Sequence, residues 1–477
     1  MHAELLVDGY FVGGPCDQSI GKLVLRSPYD GKLVGTAAEG AWPELRACID
    51  GADAAFESWR RTSRQTRRDL LRRVAELVRE RHDELAEILT LEIGKPITAS
   101  RGEVDRLALT FDFAADLVLT YGLESVPLDL DPRGFEYRCE VERFPRGVVF
   151  CIVPYNWPYN LAAHKIAPAL ATGNTVIVKP SPLAPISTLT LLRLIHEAGC
   201  PAGVINGWNG PASLAEKALA DPRIKMLSFT GSEAVGWHLR SVVTDRPVSL
   251  ELGGDAYAIV CEDADLEWAT KRIVAGAFSY AGQICISIQH VLVHRSNYDS
   301  FRERLIAATE SCPFGDPSDS ATVCGPLISD EAATKVESMI QEALDTGAKC
   351  LAGGRRHGRV VTPTLLEGVA PNAKLSAEEA FGPVLTLDPF DDVSEAIAKV
   401  NRSRFGIQSG VFTNDIRVAE QAFRELEVGG VIVNDFPTLR FDNMPYGGVK
   451  RSGFGREGVR YAMDEMTEPK TFVKRVV

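Results

Sequence analysis

The sequence has few of the patterns that identify membrane, metal-binding or disulfide-linked proteins. Its apolar runs are too short to span a bilayer, and the N-terminal stretch MHAELLVDGYFVGG lacks a basic segment followed by an apolar one. The ten cysteines are irregularly spaced without a C-x-x-C pair, and the eight histidines form no H-E-x-x-H motif. These absences argue against a membrane anchor, a secretion signal, a disulfide framework and a metal site. We therefore expect a cytoplasmic protein without a bound metal.

Clusters of positive charge are also absent. The chain has 52 lysine and arginine residues against 64 acidic residues, a net charge of −12, and the basic residues are interspersed with acids. Nucleic acid is therefore not an expected partner. The 477 residues, of which 45% are hydrophobic, exceed what one core usually holds, so two or more domains are expected.

Helical and strand-like segments alternate along most of the chain, which indicates an α/β protein with a largely parallel sheet. Apolar residues recur at helical spacing over residues 67–93, which predicts one helix packed on one face. A second long helix is predicted over residues 103–122, with Gly122 as its stop.

The stretch GFEYRCEVERF, residues 134–144, has a period of two. Apolar side chains alternate with charged ones, which predicts a strand with one solvent-exposed face. Such a strand could be a simple meander or an arm that pairs with another subunit, and the residues alone leave both alternatives open.

Four short apolar runs are interpreted as buried parallel strands of a nucleotide-binding sheet. They are GVVFCIVP, NTVIVKP, KMLSFTG and AYAIVCEDA, starting at residues 147, 174, 225 and 256. Ligands bind outside the carboxyl ends of strands in such sheets, so the loops that follow these runs are candidate walls of one pocket.

Several residues at these positions have both an ordinary structural role and a chemical one. Gly231 and Ser232 form a strand-to-helix turn that can bind a phosphate or simply cap the helix. Lys179, at a strand end, either reaches solvent or meets a cofactor ribose. Glu251 is either a desolvated general base or an ion-pair partner, and Cys285 is either a nucleophile or an inert buried thiol.

The motifs together decide between these alternatives. In order and spacing the chain resembles the aldehyde dehydrogenase superfamily, and the resemblance covers nearly its whole length, from YDGKLVG and EIGKP to GREG. The motifs that carry it are PYNWPYN, KPS, FTGSEAVG, LELGG, GQICIS, EEAFGPV and MPYGGVKRSGFGREG. The resemblance implies an α/β fold with a Rossmann-type cofactor domain, an α/β catalytic domain and a small β oligomerisation arm.

The same resemblance implies domain boundaries and an assembly. The dinucleotide-binding domain would comprise residues 1–126 and 146–253, and the catalytic domain residues 254–447. Residues 127–145 and 448–477 would form the oligomerisation arm and the C-terminal tail. A homodimer or homotetramer is expected from this arm.

Three residues match the catalytic positions of the family. Cys285 would be the nucleophile that attacks the aldehyde and then carries a thioester. The Asn156 amide, with the backbone N–H of Cys285, would stabilise the developing oxyanion. Glu251 would activate the water that hydrolyses the thioester.

NAD or NADP is the implied cofactor. Lys179 would hold the adenosine ribose, Gly231 and Ser232 the pyrophosphate, and Glu379 with Phe381 the nicotinamide ribose and ring. The complete set of expected cofactor-binding residues is Val153, Tyr155, Lys179, Ser181, Gly210, Gly231, Ser232, Val235, Leu252, Glu379 and Phe381.

Two departures from the family pattern concern the cofactor. Pro182 stands where many members have a glutamate that grips the ribose 2′-hydroxyl and repels a 2′-phosphate. Without that carboxylate NADP becomes acceptable, although NAD is slightly favoured. Tyr155 stands where tryptophan is common and keeps an aromatic wall.

The substrate is expected to be a small aldehyde. The motif wording resembles most the lactaldehyde, phosphonoacetaldehyde and non-phosphorylating glyceraldehyde-3-phosphate dehydrogenases, whose substrates are short and often anionic. Arg106, Arg440 and Arg451 are candidates to meet an anionic group.

Other functions compete with simple aldehyde oxidation. One is a CoA-acylating dehydrogenase, against which a water-activating Glu251 argues. Another is a structural or binding member that has lost activity, for which loss of Cys285 or Glu251 would be expected. A cofactor-free cysteine hydrolase needs a histidine base, and His290 is expected to lie on a strand that carries it away from Cys285.

Overall fold

The computed structural model describes residues 21–476, preceded by the backbone of three short strands within residues 5–15. Most of the N-terminal stretch interpreted above lies outside the described residues. The fold is α/β, as predicted, and is built on two large sheets with a third, smaller antiparallel sheet.

The N-terminal part places a small sheet and four helices ahead of the larger sheets. Its elements are β1 (Leu5–Val7), β2 (Tyr10–Phe11), β3 (Gly14–Pro15), β4 (Gly21–Arg26), β5 (Leu33–Glu39), α1 (Trp42–Trp59), α2 (Arg64–Glu80), α3 (His82–Ile93) and α4 (Ile97–Leu117). Two strands of the small antiparallel sheet follow, β6 (Leu123–Val126) and β7 (Tyr137–Pro145).

The six-stranded sheet has the order β10-β9-β8-β11-β12-β22. Its elements are β8 (Val148–Ile152), α5 (Pro158–Thr172), β9 (Thr175–Lys179), α6 (Pro185–Glu197), β10 (Ile205–Gly207), α7 (Ala212–Ala218), β11 (Ile224–Thr230), α8 (Glu233–Val242) and β12 (Val248–Glu251), with the antiparallel β22 (Gly453–Phe454) from near the C-terminus. The chain leaves β8 toward β9 and β10, then returns to β11 on the other side. The switch point where dinucleotides bind in such sheets therefore lies between β8 and β11.

The seven-stranded sheet has the order β15-β18-β19-β14-β13-β20-β21 and is parallel except for β15. The elements of this part are β13 (Ala256–Val260), α9 (Leu266–Phe278), β14 (Ile288–His294), α10 (Tyr298–Glu310), α11 (Asp330–Asp345), β15 (Lys349–Ala352), β16 (Arg356–His357), β17 (Val360–Val361), β18 (Thr364–Glu367), α12 (Lys374–Ala377), β19 (Val384–Phe390), α13 (Val393–Asn401), β20 (Gln408–Phe412), α14 (Ile416–Glu425) and β21 (Gly430–Val433).

The third sheet is the antiparallel arm. The chain ends with α15 (Val459–Glu465) and β23 (Thr467–Arg475), and β23 pairs with β7 along its full length while β6 pairs with the other edge of β7. Side chains of β7 alternate in exposure from Cys139 onward, as the period of two predicts. The strand begins at Tyr137, so Phe135 lies outside it.

Three predictions about elements are wrong in detail. Residues 67–93 form two helices, because Arg81, with φ −114° and ψ 25°, leaves the helical region between α2 and α3. The second long helix begins earlier, at Ile97, and ends before Gly122. The run AYAIVCEDA is β13 of the seven-stranded sheet, not a strand of the nucleotide-binding sheet.

Within the described residues no helix is long and apolar enough to cross a membrane. The same part of the chain holds no group of three or more histidine, cysteine or acidic side chains arranged to bind a metal ion.

A buried ion pair links the N-terminal helices to the region that follows β8. Lys95 and Glu103 are both fully buried and paired, and Glu103 also accepts hydrogen bonds from the backbone N–H groups of Tyr159 and Asn160 in the first turn of α5. The Lys95 ammonium lies 3.6 Å from the centre of the Trp157 ring. The pair therefore fixes the start of α5 and one aromatic side chain of the loop before it.

We expect Lys95→Met to destabilise the protein by roughly 3–5 kcal/mol, because Glu103 would keep a buried charge without its cation. Thermal unfolding would show this as a melting temperature several degrees below wild type. Lys22→Met removes an exposed lysine and is the matched control. Equal melting temperatures for the two variants would contradict a stabilising role for the pair.

Candidate active site

Cys285 lies in a loop with unusual backbone geometry. The chain leaves α9 through a tight turn in which Tyr280 and Ala281 have φ of 52° and 54°, a left-handed conformation that non-glycine residues seldom adopt. The thiol opens into a cavity of about 240 Å³. The cavity is lined by Ala99, Arg106, Trp157, Asn160, Leu161, Ala275, Ser279, Tyr280, Ile284, Cys285, Ile286, Phe436, Thr438, Arg440 and Tyr446.

The buried Gln283 side chain holds this loop in place. Its Nε2 donates to the carbonyls of Tyr280 and Pro326, and its Oε1 accepts from the backbone N–H of Ile328 at 2.9 Å. The hydroxyl of Tyr155 donates to the same oxygen at 3.3 Å. The cysteine loop is thereby tied both to the segment before α11 and to the loop after β8.

The environment of the Cys285 thiol contains opposing influences. Burial is the largest and raises the thiol pKa to about 11, and the carboxyl groups of Glu379 and Glu251 act in the same direction. The Tyr446 hydroxyl, 3.0 Å from the sulfur, and the Arg440 guanidinium lower the pKa. The Tyr446 hydroxyl and the Arg440 guanidinium therefore favour the ionised form of the thiol.

Glu251 ends β12 and is almost fully buried. Neither of its carboxylate oxygens has a hydrogen-bond partner within the described part of the chain. Burial, followed by the nearby charge of Glu457, raises the pKa of Glu251 well above its usual value. A carboxylate without partners and with a raised pKa has the properties of a general base.

Asn156 lies beside the cysteine loop. Its Nδ2 donates to the carbonyl of Gln283 at 2.9 Å, two residues before Cys285. One amide hydrogen is used in this bond, which leaves the second as a possible donor to a ligand.

The expected cofactor residues on the six-stranded sheet all follow the carboxyl ends of its parallel strands. Residues after β8 and β11 border the switch point, and β9, β10 and β12 contribute the others. They are Val153 and Tyr155 after β8, Lys179 and Ser181 at β9, Gly210 after β10, Gly231, Ser232 and Val235 after β11, and Leu252 after β12.

Lys179 is buried without a carboxylate partner. Its only hydrogen bond within the described residues goes to the carbonyl of Pro180 at 3.3 Å, and burial lowers its pKa to about 8. A buried amine with unused donors fits a site for hydroxyl groups of a ribose. The residues present therefore fit a dinucleotide.

Glu379 and Phe381 reach the same region from the loop before β19. Glu379 Oε1 accepts from the backbone N–H of Gly254 at 3.1 Å, and burial raises its pKa to about 7. A Cβ at Gly253 would clash with the other carboxylate oxygen, so a side chain there would displace the Glu379 carboxylate. The Phe381 ring meets the edge of Tyr155 with their centres 6.1 Å apart.

Two of the three candidate arginines line the Cys285 cavity. Arg106 is held by Asp442 through two hydrogen bonds of 2.6 and 3.0 Å. Arg440 packs over the Tyr446 ring, 3.8 Å from its centre. Arg451 is instead paired with Glu233 at the start of α8, outside the cavity lining, so its predicted role beside the substrate is wrong.

Sequence reasoning missed three contributors to the site. Tyr446, Gln283 and Asp442 each act through tertiary contacts, although Tyr446 and Gln283 lie within motifs that carry the family resemblance. His290 is buried on β14, where its Nδ1 meets the Thr386 hydroxyl at 2.8 Å. As expected, it lies away from the thiol, so it supplies no base to Cys285.

Known proteins resemble this chain in sequence and fold over nearly its whole length. The sequence matches the aldehyde dehydrogenase family over residues 17–472. The 3-sulfolactaldehyde dehydrogenase of Priestia megaterium is 40% identical over 466 residues, which cover 98% of this chain and 97% of that protein. The structure of aldehyde dehydrogenase 21 from Physcomitrella patens, in complex with its product succinate, has a TM-score of 0.97 and 37% identity, covering 100% of this chain and 99% of its own.

A third relative is glyceraldehyde-3-phosphate dehydrogenase GapN from Methanocaldococcus jannaschii, solved with NADP. It has a TM-score of 0.92 and 37% identity and covers 96% of this chain and 100% of its own. The chain belongs to the aldehyde dehydrogenase family. The predicted fold, the NAD(P)-dependent oxidoreductase class and the expectation of NAD or NADP as cofactor are thereby confirmed.

We expect Pro182→Glu to discriminate against NADP. A carboxylate three residues after Lys179 would repel a 2′-phosphate, whereas it could accept a bond from a 2′-hydroxyl. Titration followed by the fluorescence of the reduced cofactors should show NADPH affinity reduced about tenfold or more while NADH affinity is maintained.

The neighbouring exposed Leu183 provides the control, as Leu183→Glu adds the same charge one position further along. Equal losses for both cofactors in Pro182→Glu, or no loss, would show that this position does not face the 2′-substituent.

Proposed function

We propose that the protein oxidises a short anionic aldehyde to the carboxylic acid with NAD or NADP. The observation that carries this proposal is the cavity at Cys285, which brings a thiol together with the guanidinium groups of Arg106 and Arg440. No acidic side chain is among the residues that line it. A carboxylate, phosphate or sulfonate on the substrate would therefore be attracted to this cavity.

The relatives support an anionic substrate. The Priestia megaterium relative is named for a sulfonated aldehyde, the Physcomitrella patens enzyme holds the product succinate, and the Methanocaldococcus jannaschii enzyme is named for a phosphorylated one. The cavity of about 240 Å³ accommodates a short-chain aldehyde.

The proposed chemistry uses three residues, Cys285, Asn156 and Glu251. The Cys285 thiolate adds to the aldehyde carbon, and the resulting oxyanion accepts hydrogen bonds from Asn156 Nδ2 and the backbone N–H of Cys285. Bound NAD or NADP supplies the acceptor for the hydride that leaves this carbon. Loss of the hydride converts the thiohemiacetal into a thioester on Cys285.

Hydrolysis returns the enzyme to its starting state. Glu251 takes a proton from water, whose oxygen adds to the thioester carbon, and the sulfur departs as the thiolate while the acid is released. The raised pKa of Glu251 makes its carboxylate a stronger proton acceptor than an exposed glutamate. This assignment favours water over coenzyme A as the acyl acceptor.

The cofactor would lie across the carboxyl ends of β8 and β11. Lys179 would donate to the adenosine ribose, the turn at Gly231 and Ser232 would face the pyrophosphate, and Glu379 with Phe381 would fix the nicotinamide end. Val153, Tyr155, Ser181, Gly210, Val235 and Leu252 would form the remaining walls.

We also propose the domain division, assembly and location expected from the sequence. Residues 1–126 and 146–253 bind the cofactor, residues 254–447 carry the nucleophile, and residues 127–145 and 448–477 contain the arm. The exposed Phe144 and Phe472 on its strands support subunit pairing into a dimer or tetramer. The free thiols of Cys285 and Cys350 fit a reducing, cytoplasmic environment.

Initial rates of cofactor reduction with a matched set of aldehydes test the proposal. The set comprises succinic semialdehyde, 3-sulfolactaldehyde, glyceraldehyde-3-phosphate, lactaldehyde and butanal, each assayed with NAD and with NADP. The expected result is turnover that is fastest, by kcat/KM, for an anionic member and absent in Cys285→Ala. Preference for butanal over every anionic member would overturn the substrate class.

Arg106→Met tests anion recognition directly. Loss of one guanidinium should raise KM for the preferred anionic aldehyde about tenfold or more and change KM for butanal little. Arg101→Met alters an exposed arginine of the same helix and serves as the control. An equal rise in KM for both aldehydes would mean that Arg106 shapes the cavity without reading substrate charge.

Glu251→Gln separates the two half-reactions. The first should remain and appear as a burst of reduced cofactor equal to the enzyme concentration, while steady-state turnover falls roughly a hundredfold or more. Coenzyme A is not expected to restore turnover. The exposed Glu262→Gln is the control. Unchanged steady-state turnover without a burst would remove Glu251 from the hydrolytic step.

A further inference from the structure

The hydroxyl of Tyr446 is the polar group that lies against the reacting sulfur. Its oxygen is 3.0 Å from Cys285 Sγ, and the tyrosine is almost fully buried. The backbone of Tyr446 is held by two hydrogen bonds to the backbone of Glu457, at 2.7 and 3.0 Å. The hydroxyl is therefore presented to the thiol from a rigid position.

Arg440 strengthens this hydroxyl as a donor. Its guanidinium lies over the Tyr446 ring, 3.8 Å from the ring centre, and is anchored by Glu457 at 3.4 Å. A cation on the ring face withdraws charge from the phenol, so the O–H becomes a better hydrogen-bond donor. The Arg440 cation therefore acts on the sulfur through the ring and hydroxyl of Tyr446.

The other groups around Cys285 do little to stabilise its thiolate. The cavity walls beside the sulfur include Ile284, Ile286 and Leu161, which cannot solvate a charge. The charged or titratable groups that line the cavity or act on the sulfur are Arg106, Tyr280, Arg440, Tyr446, Glu251 and Glu379. Of these only Tyr446 is in hydrogen-bond contact with it.

We propose that Tyr446 is a further catalytic residue, whose hydroxyl donates a hydrogen bond to the Cys285 sulfur and stabilises the thiolate that attacks the aldehyde. Ionisation releases the thiol proton to solvent, and no proton is transferred from the tyrosine. When the sulfur becomes part of the thiohemiacetal its negative charge is lost, so the hydrogen bond acts on the attacking and leaving thiolate. The inference concerns the same site as the proposed function, but its first test needs no substrate.

Tyr446→Phe removes the hydroxyl and retains the ring beneath Arg440. The rate of alkylation of Cys285 by iodoacetamide would be followed between about pH 6 and pH 10 by mass spectrometry of the peptide that contains it, which separates this thiol from the others. Loss of a hydrogen bond to the thiolate raises the thiol pKa, so the rise in rate should move to higher pH. We expect a displacement of about one pH unit, or about tenfold slower alkylation at neutral pH.

Tyr159→Phe is the matched control, because it removes another buried tyrosine hydroxyl, one without a partner among the described residues. It should leave the alkylation profile as in wild type. Equal affinity of Tyr446→Phe and wild type for the cofactor would show that the variant is folded. An unchanged profile in Tyr446→Phe would overturn the proposal, as would faster alkylation at every pH, which would mean that the hydroxyl restrains the thiol.

Steady-state kinetics supply a second readout. In Tyr446→Phe the acid limb of kcat/KM for the preferred aldehyde should move in the same direction as the alkylation profile. If no aldehyde is oxidised but alkylation still moves, the role of Tyr446 stands and the proposed function fails. If aldehydes are oxidised and neither profile moves, the proposed function stands and the role of Tyr446 fails.

Discussion

The Gln283 side chain is the constraint on which the site depends. It bonds to Tyr280, Pro326, Ile328 and Tyr155, and its own carbonyl accepts from Asn156. The left-handed backbone before Cys285 is costly for residues with a side chain and persists only where the surroundings fix it. One buried amide supplies that fixation and at the same time brings the loop after β8 to the nucleophile. Gln283 therefore links the cysteine loop to the loop that follows β8.

The acidic and basic side chains of the site have different electrostatic environments. Glu251 is buried without a hydrogen-bond partner among the described residues, and this burial raises its pKa. The cations are instead fixed by anions, Arg106 by Asp442 and Arg440 by Glu457, so their orientation in the cavity is set before a ligand arrives. Arg440 has a double position, since it lines the cavity and also lies over the ring whose hydroxyl reaches the thiol. In the proposals above, Arg440 would contribute to both substrate recognition and thiol activation.

Features encoded by local patterns could be predicted from the sequence. Lys179 and Glu251 close strands of β-branched or apolar residues, and both lie at strand ends in the structure. The break at Arg81 could not be predicted, because Val78 and Leu85 on either side of it keep the spacing of one helical face. The run at β13 resembled its neighbours since any doubly covered parallel strand is uniformly apolar, whichever sheet it joins.

The polar contacts of the site were less predictable, for a physical reason. The partners of Arg106, Arg451 and Tyr446 lie far away in the sequence, at Asp442, Glu233 and Cys285. From the sequence alone, a charged side chain on the surface cannot be distinguished from one that lines a cavity until its partner is known. The motif order therefore predicted a nucleophile and the sheet edge that binds the cofactor, whereas the charge lining the cavity emerged only from the packing.

A crystal structure of Cys285→Ala with NADP and succinic semialdehyde tests the central claim most directly, which is that one cavity aligns a substrate anion with two guanidiniums and its carbonyl with the nucleophile. The account predicts the carboxylate within hydrogen-bond distance of Arg106 and Arg440 and the aldehyde carbon facing residue 285. A ligand bound outside this cavity, or with its carboxylate remote from both arginines, would contradict it.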